Sequence, residues 1–293
     1  MKTTLFAIAV ALCLLGGSGC DLFDPVEPTP AFIVIPSFNF ETDYPTEFTD
    51  SEKFTEVWVY ANDQVIGAYD LPAEIPILET GETELEFIPG IKNNGIASTR
   101  RQYPFIENDR RWITLEPGKL DTIIPEFRYK DNVTIINADD FEVGTVFTVN
   151  EGSQGSINRV TNNDLVFEGD GSGFGFLSEG ENTLKMITNE QQYDLPKNRL
   201  SWLEMNYKCN NSMAVGIQAV SQSTVESQYI IILNPTTNAA NQAEWNKIYI
   251  ELSPTVATYQ NAAHFELVID AVRDQDNTGE IEVFLDNLKL VHF

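Results

Sequence analysis

Cationic residues are scarce in this sequence: 18 Lys and Arg stand against 44 Asp and Glu, a formal charge of −26 over 293 residues. So acidic a surface repels phosphate backbones, which sets nucleic acid aside as a partner. Histidine is scarcer still, with His264 and His292 alone, and neither sits in a metal-binding or catalytic motif. Cysteine occurs at Cys13, Cys20 and Cys209. The first two fall in the N-terminal run described next, so Cys209 is left alone and no intramolecular disulfide is expected. A lone cysteine in a strand-like run reads as a small buried hydrophobe, because a nucleophile needs a base beside it. A phosphate-binding glycine loop, HExxH, GxSxG and CxxC are all missing. The expectation is therefore a protein that is not an enzyme, although the paired carboxylates of a glycosidase meet only in space.

What is present begins with a secretory signature. Lys2 precedes the apolar run 5–15, and the small residues Gly16, Gly17, Ser18 and Gly19 lead directly to Cys20. The run is shorter than the roughly 20 residues a bilayer-crossing helix needs, and it reads as a cleaved signal over residues 1–19. The cysteine after small residues resembles a bacterial lipobox, with Gly17 where that signal usually has Leu. The resemblance implies lipidation of Cys20 and membrane attachment through acyl chains, at roughly 0.8 kcal/mol per buried CH₂. Residues 20–30 then form an acidic tether, since DLFDPVEPTP holds three prolines and three acids. An acidic stretch behind the lipidated cysteine resembles the surface-export signals of Bacteroidota lipoproteins. The expected location is the outer membrane, lipid-anchored, facing the cell surface or the periplasm.

The remainder is rich in aromatic and β-branched residues, with turn residues at short intervals, as in sandwiches and barrels. The fold class expected is all-β. Residues 31–128 hold seven short strand-like runs and predict an immunoglobulin-like or transthyretin-like sandwich. Asn62-Asp63 between two such runs predicts a tight hairpin. Arg100-Arg101 and Arg110-Arg111 are basic pairs that either contact a partner or offset local acid. Residues 129–137 read as a connector into a second domain, 138–293.

In that second part, the opening Asp140-Phe141-Glu142, the entry Gly171-Ser172-Gly173, the Trp-led run from Trp245 and the closing Leu285–Leu290 (LDNLKL) resemble a galactose-binding-like jelly roll. Many carbohydrate-binding modules use that fold. The whole chain also resembles two-domain lipoproteins of Bacteroidota, a likeness that brings no function with it. The jelly-roll resemblance implies a structural calcium near the first and last strands, with Asp140, Glu142 and Asp286 as its carboxylates. Calcium takes six to eight oxygens, some of them backbone carbonyls that sequence does not reveal.

Period-two alternation sorts the strand faces. Leu203, Met205, Tyr207 and Cys209 share one side as core; Trp202, Glu204, Asn206 and Lys208 share the other. Trp245, Lys247, Tyr249 and Glu251 form a similar mixed face, and Gln218 and Glu266 lie on the outer sides of their strands. An aromatic ring beside amides and carboxylates is what a sugar surface needs. Trp202, Glu204, Asn206, Gln218, Trp245 and Tyr249 are thus the expected glycan contacts. The competing expectation is that Trp202 and Tyr249 cover the sheet against the first domain, and that the protein is a structural subunit binding an envelope protein.

Overall fold

The computed structural model describes residues 27–188 and 191–293. The signal run and Cys20 lie outside the described residues. No helix among the described residues is long and apolar enough to cross a membrane, which says nothing of membrane-spanning strands.

The first domain runs β1 (Ala31–Ile35), β2 (Asn39–Phe40), α1 (Tyr44–Glu47), β3 (Glu56–Ala61), β4 (Gln64–Asp70), β5 (Ala73–Ile77), β6 (Gly81–Lys92), β7 (Arg100–Gln102), β8 (Asp109–Leu115), β9 (Leu120–Thr122) and β10 (Glu126–Phe127). The second runs β11 (Thr134–Asp139), β12 (Thr148–Val149), β13 (Ser156–Val160), β14 (Ser172–Leu177), β15 (Thr183–Ile187), β16 (Ser201–Cys209), β17 (Met213–Val220), β18 (Val225–Leu233), β19 (Asn246–Glu251), α2 (Ser253–Thr258), β20 (His264–Val272) and β21 (Ile281–His292). The chain is nearly all β, as expected.

In the first domain β4-β3-β6-β7, with β8 also on β6, faces the small sheets β5-β1-β9 and β10-β2. Alternation drives this: Ile33, Ile35, Val57, Val59, Ile75, Ile77, Leu85 and Phe87 point into one core. Asn62 and Asp63 both take positive φ between β3 and β4, the conformation of a type I′ hairpin turn. In the second domain β13-β14-β21-β16-β19 packs on β12-β15-β20-β17-β18. Leu203, Met205, Tyr207 and Cys209 enter its core, as their alternation requires.

Three local features differ from what the sequence suggests. Residues 129–137 are no free connector: Tyr129 is a core residue, and β11 pairs antiparallel with β21. β5 escaped the sequence reading because Pro76 interrupts it; it is an edge strand, where a missing N–H is tolerated. β13 escaped because its polar residues face solvent at a sheet edge.

The outer face of β16 and β19 does not look at solvent along its whole length. Trp202, Tyr249 and Val291 belong to the first domain's core cluster. Trp202 meets Phe105 at 5.5 Å and Tyr103 at 6.3 Å, and Tyr249 stacks on Phe54 at 5.9 Å. At the centre of this junction a single carboxylate, Glu204, accepts hydrogen bonds from the Tyr103 and Tyr129 hydroxyls at 2.6 and 2.7 Å. Lys247 and Lys289 approach it at 3.1 and 3.6 Å. Burial pushes the Glu204 pKa up, but the two ammoniums and two phenols outweigh it and hold the group at about 2. Burial lowers the Lys289 pKa to about 8, against the raising effect of Glu204.

Candidate functional site

The junction decides which of the expected glycan contacts are available. Trp202 is fully buried, its indole N–H bonded to Asn93 Oδ1 at 2.9 Å and its ring covered by the Arg101 guanidinium at 4.8 Å. Glu204 is 1 % exposed and committed to the ionic cluster just described. Asn206 exchanges hydrogen bonds with Ser51 Oγ at 2.9 and 3.1 Å. The Tyr249 hydroxyl accepts the Lys53 backbone N–H at 2.9 Å, and its ring is enclosed. The expectation that these four display a sugar face is corrected: the same alternation that aims them outward aims them at the other domain. Gln218 is on the outer face of the opposite sheet, donating to Glu266 Oε2 at 2.7 Å and accepting from Ser227 at 2.9 Å. It does not join the others.

Trp245 alone of the six stays open on this side. A cleft of about 590 Å³ lies where residues 94–96 of the first domain meet β18 and β19 of the second. Such a volume falls within the roughly 300–1,000 Å³ of small-ligand sites, which favour domain junctions. Trp245 and Asn246 line it together with Tyr207, Lys53, Lys92, Thr236 and Glu244. The Asn246 amide donates to the Tyr207 hydroxyl at 3.0 Å, and its carbonyl accepts from Lys53 Nζ. Burial lowers the Lys53 pKa, and the charge of Lys92 adds to that. Glu244 accepts from Asn238 at 2.7 Å and so holds the cleft's outer loop. The cleft lining thus combines one half-buried tryptophan with amide, hydroxyl, ammonium and carboxylate groups. The sequence reading missed Lys53, Lys92 and Thr236, because they come from distant segments that only the domain packing brings together.

Beyond Trp245 the free half of the same sheet carries an aromatic strip. Phe174 on β14 and Phe284 on β21 are directly opposed and stack at 4.8 Å. Trp245 stands 6.2 Å from Phe284 and 5.3 Å from Phe167. The Lys208 ammonium lies over Phe284 at 4.1 Å and over Trp245 at 5.1 Å, a cation–π bridge between the rings. Burial lowers the Lys208 pKa.

The three expected calcium carboxylates are each engaged by protein donors. Asp140 accepts from the Asn137 amide at 2.6 Å and the Glu142 backbone N–H at 3.2 Å. Both Glu142 oxygens accept the Asp170 backbone N–H. Asp286 is buried and accepts from Ser172 at 2.5 Å and the Asn287 N–H at 2.8 Å. Burial raises its pKa to about 7. Among the described residues no three His, Cys, Asp or Glu side chains gather in a metal-holding group. The donor set does not fit a calcium site, and no metal chemistry is assigned to it. Cys209 is buried, with its thiol pushed up to about 11 by that burial, which fits a packing role.

No family profile matches the chain, and no curated protein matches it. Solved structures do. One, described as the structural basis for the promiscuous specificity of carbohydrate-binding modules from the β-sandwich superfamily, shares 14 % identity and covers 80 % of this chain and 83 % of its own, at a TM-score of 0.38. A non-crystalline-cellulose-specific module, CBM28, shares 14 % identity over 52 % of this chain and 92 % of its own, at 0.39. The enzymatically active domain of a bacteriophage CBA120 tailspike protein shares 12 % over 53 % of this chain and 21 % of its own, at 0.36. All three likenesses are weak in identity and in TM-score, and they carry neither ligand nor activity to this chain.

Proposed function

We propose that this protein is a non-catalytic glycan-binding lipoprotein, and that the interdomain cleft at Trp245 is its sugar site. The observation that carries the reading is the half-buried Trp245, which lines a cleft of about 590 Å³ together with Asn246, Tyr207, Lys53 and Glu244. Pyranose rings lay apolar C–H faces on aromatic rings and present hydroxyls to amides, ammoniums and carboxylates; all of these are here. Recognition without hydrolysis is the form proposed. Glycoside hydrolysis generally takes two carboxyl groups, and Glu244 is the one carboxylate among the cleft's lining residues. Phe167 and Phe174, partly exposed beyond Trp245, give a longer sugar chain a surface to continue on.

The anchor is the second half of the proposal. A thioether-linked lipid on Cys20 would hold the acidic body at the outer membrane, on a tether long enough to leave the cleft free. Intact-mass analysis and membrane fractionation of Cys20→Ser test it, and a variant that still sediments with membranes contradicts it.

The glycan half is tested by screening immobilised glycans with the full chain and with Trp245→Ala. Retention on a glycan that falls at least tenfold in the variant supports the cleft. No retention on any glycan, or retention unaltered by the substitution, overturns it. A protein partner would then be sought at β18, an edge strand with Ile232 68 % exposed and one side of its backbone unpaired.

A further inference from the structure

The basic pair Arg100-Arg101 takes no part in the cleft. It contributes instead to a second cavity, about 570 Å³, on the first domain beside β7. Trp58, Arg100, Arg101, Gln102, Asn108, Lys130 and Phe293 line it, and no Asp or Glu side chain does. Three of the protein's 18 Lys and Arg thus meet here. Carboxylates pair with both arginines. Glu56 and Asp70 hold Arg100 at 3.0 and 2.9 Å, and Glu251 holds Arg101 at 2.7 Å. Glu86 takes the Asn108 amide at 2.6 Å. Glu107 and Asp131 line an adjoining shallow depression that shares Asn108 and Lys130 with the cavity.

Each cation keeps donors to spare. Arg100 makes one contact from each terminal nitrogen, which leaves three of its five N–H groups, and Arg101 uses one terminal nitrogen. Lys130 gives one of its three N–H groups, to the Pro104 carbonyl at 2.6 Å, and forms no ion pair among the described residues. The Trp58 indole N–H is buried and has no acceptor among the described residues. The walls therefore combine an indole ring, two amides and three cations, with donors in excess of acceptors.

We propose that this cavity binds a carboxylate-bearing sugar, a uronate unit of an acidic oligosaccharide. Its carboxylate is met by Lys130 and Arg101, and its ring rests against Trp58. Arginine suits a carboxylate because the guanidinium fork matches its two oxygens. The site is separate from the Trp245 cleft, so either can fail without the other.

The experiment is calorimetric titration of the full chain with galacturonate and glucuronate trimers and with their neutral hexose counterparts. A uronate trimer is expected to bind at low salt and to weaken at least tenfold in 0.5 M NaCl. Lys130→Ala is expected to weaken it at least tenfold, and Asn108→Ala, a more exposed position, severalfold. Trp245→Ala is expected to leave it unchanged. The proposal is overturned if neither uronate trimer binds, if neutral trimers compete equally, or if both cavity variants retain wild-type affinity while folded by circular dichroism. Loss of uronate binding in Trp245→Ala would also overturn it, by moving that ligand to the cleft.

Discussion

Glu204 shows how much one side chain carries in this molecule. It is a buried anion with two phenol donors and two ammoniums, drawn from both domains. Removing one partner of such a cluster strands the rest, at about 3–5 kcal/mol. Glu204→Gln is therefore expected to lose stability on that scale in urea titrations. Its pKa sits at about 2, below the ordinary 4.5, so its contribution is complete above pH 4.5 and vanishes as pH falls through 2. Asp286 works in the opposite sense. Its pKa of about 7 lies above the ordinary 3.8, so the folded state binds the proton more tightly and stability declines as pH rises from 3.8 to 7. Asp286→Asn is expected to flatten that decline and to be more stable than the parent at pH 8, read from denaturation midpoints across the pH series. A steeper slope in the variant would contradict the assignment.

At the scale of elements, most strands were legible because their alternation has period two. β16, β17 and β20 announce themselves by residues such as Met205, Ile217 and Leu267, all of which enter the core. The Asn62-Asp63 turn was legible for a different reason, since few residues tolerate two successive positive φ angles. Asp63→Gly should accordingly be tolerated or mildly stabilising, because glycine adopts that conformation without steric cost. Illegible elements are those whose identity depends on a neighbour. β11 is a strand because β21 runs past it, and β5 because an edge accepts Pro76. Gly216 belongs to this class too. A Cβ there would lie 2.2 Å from the Gln228 carbonyl oxygen, at the register shift between β17 and β18. Gly216→Ala is predicted to cost about 1–3 kcal/mol, as overpacking does, and to raise hydrogen exchange in β18.

For the whole molecule, the decisive feature is that one sheet serves two masters. Its inner face closes the second domain's core, and half of its outer face closes the first domain's. Sequence alternation identified the outward residues correctly. It did not distinguish outward to water from outward to a partner domain, because both are written with the same aromatic and polar letters. Trp202 and Trp245 are equally aromatic in the sequence; the second-domain sheet is long enough that one falls under the first domain and the other beyond its rim. Two domains sharing a junction of this kind should unfold together. Calorimetry is expected to give one transition. Trp202→Ala should lower it as a whole, by about 3–5 kcal/mol for a buried aromatic, whereas Trp112→Ala, 63 % exposed, should barely move it. Two separated transitions would show that the junction is not cooperative.

The most direct test of the account uses the four tryptophans as reporters, since each gives one indole N–H signal. The full chain, labelled with ¹⁵N-tryptophan, is titrated with a neutral oligosaccharide selected by the glycan screen. The account predicts that the Trp245 signal shifts saturably while the buried Trp202 signal stays in place. A shift at Trp202 with Trp245 unmoved would contradict it, because the sugar would then be reading the face that the first domain covers.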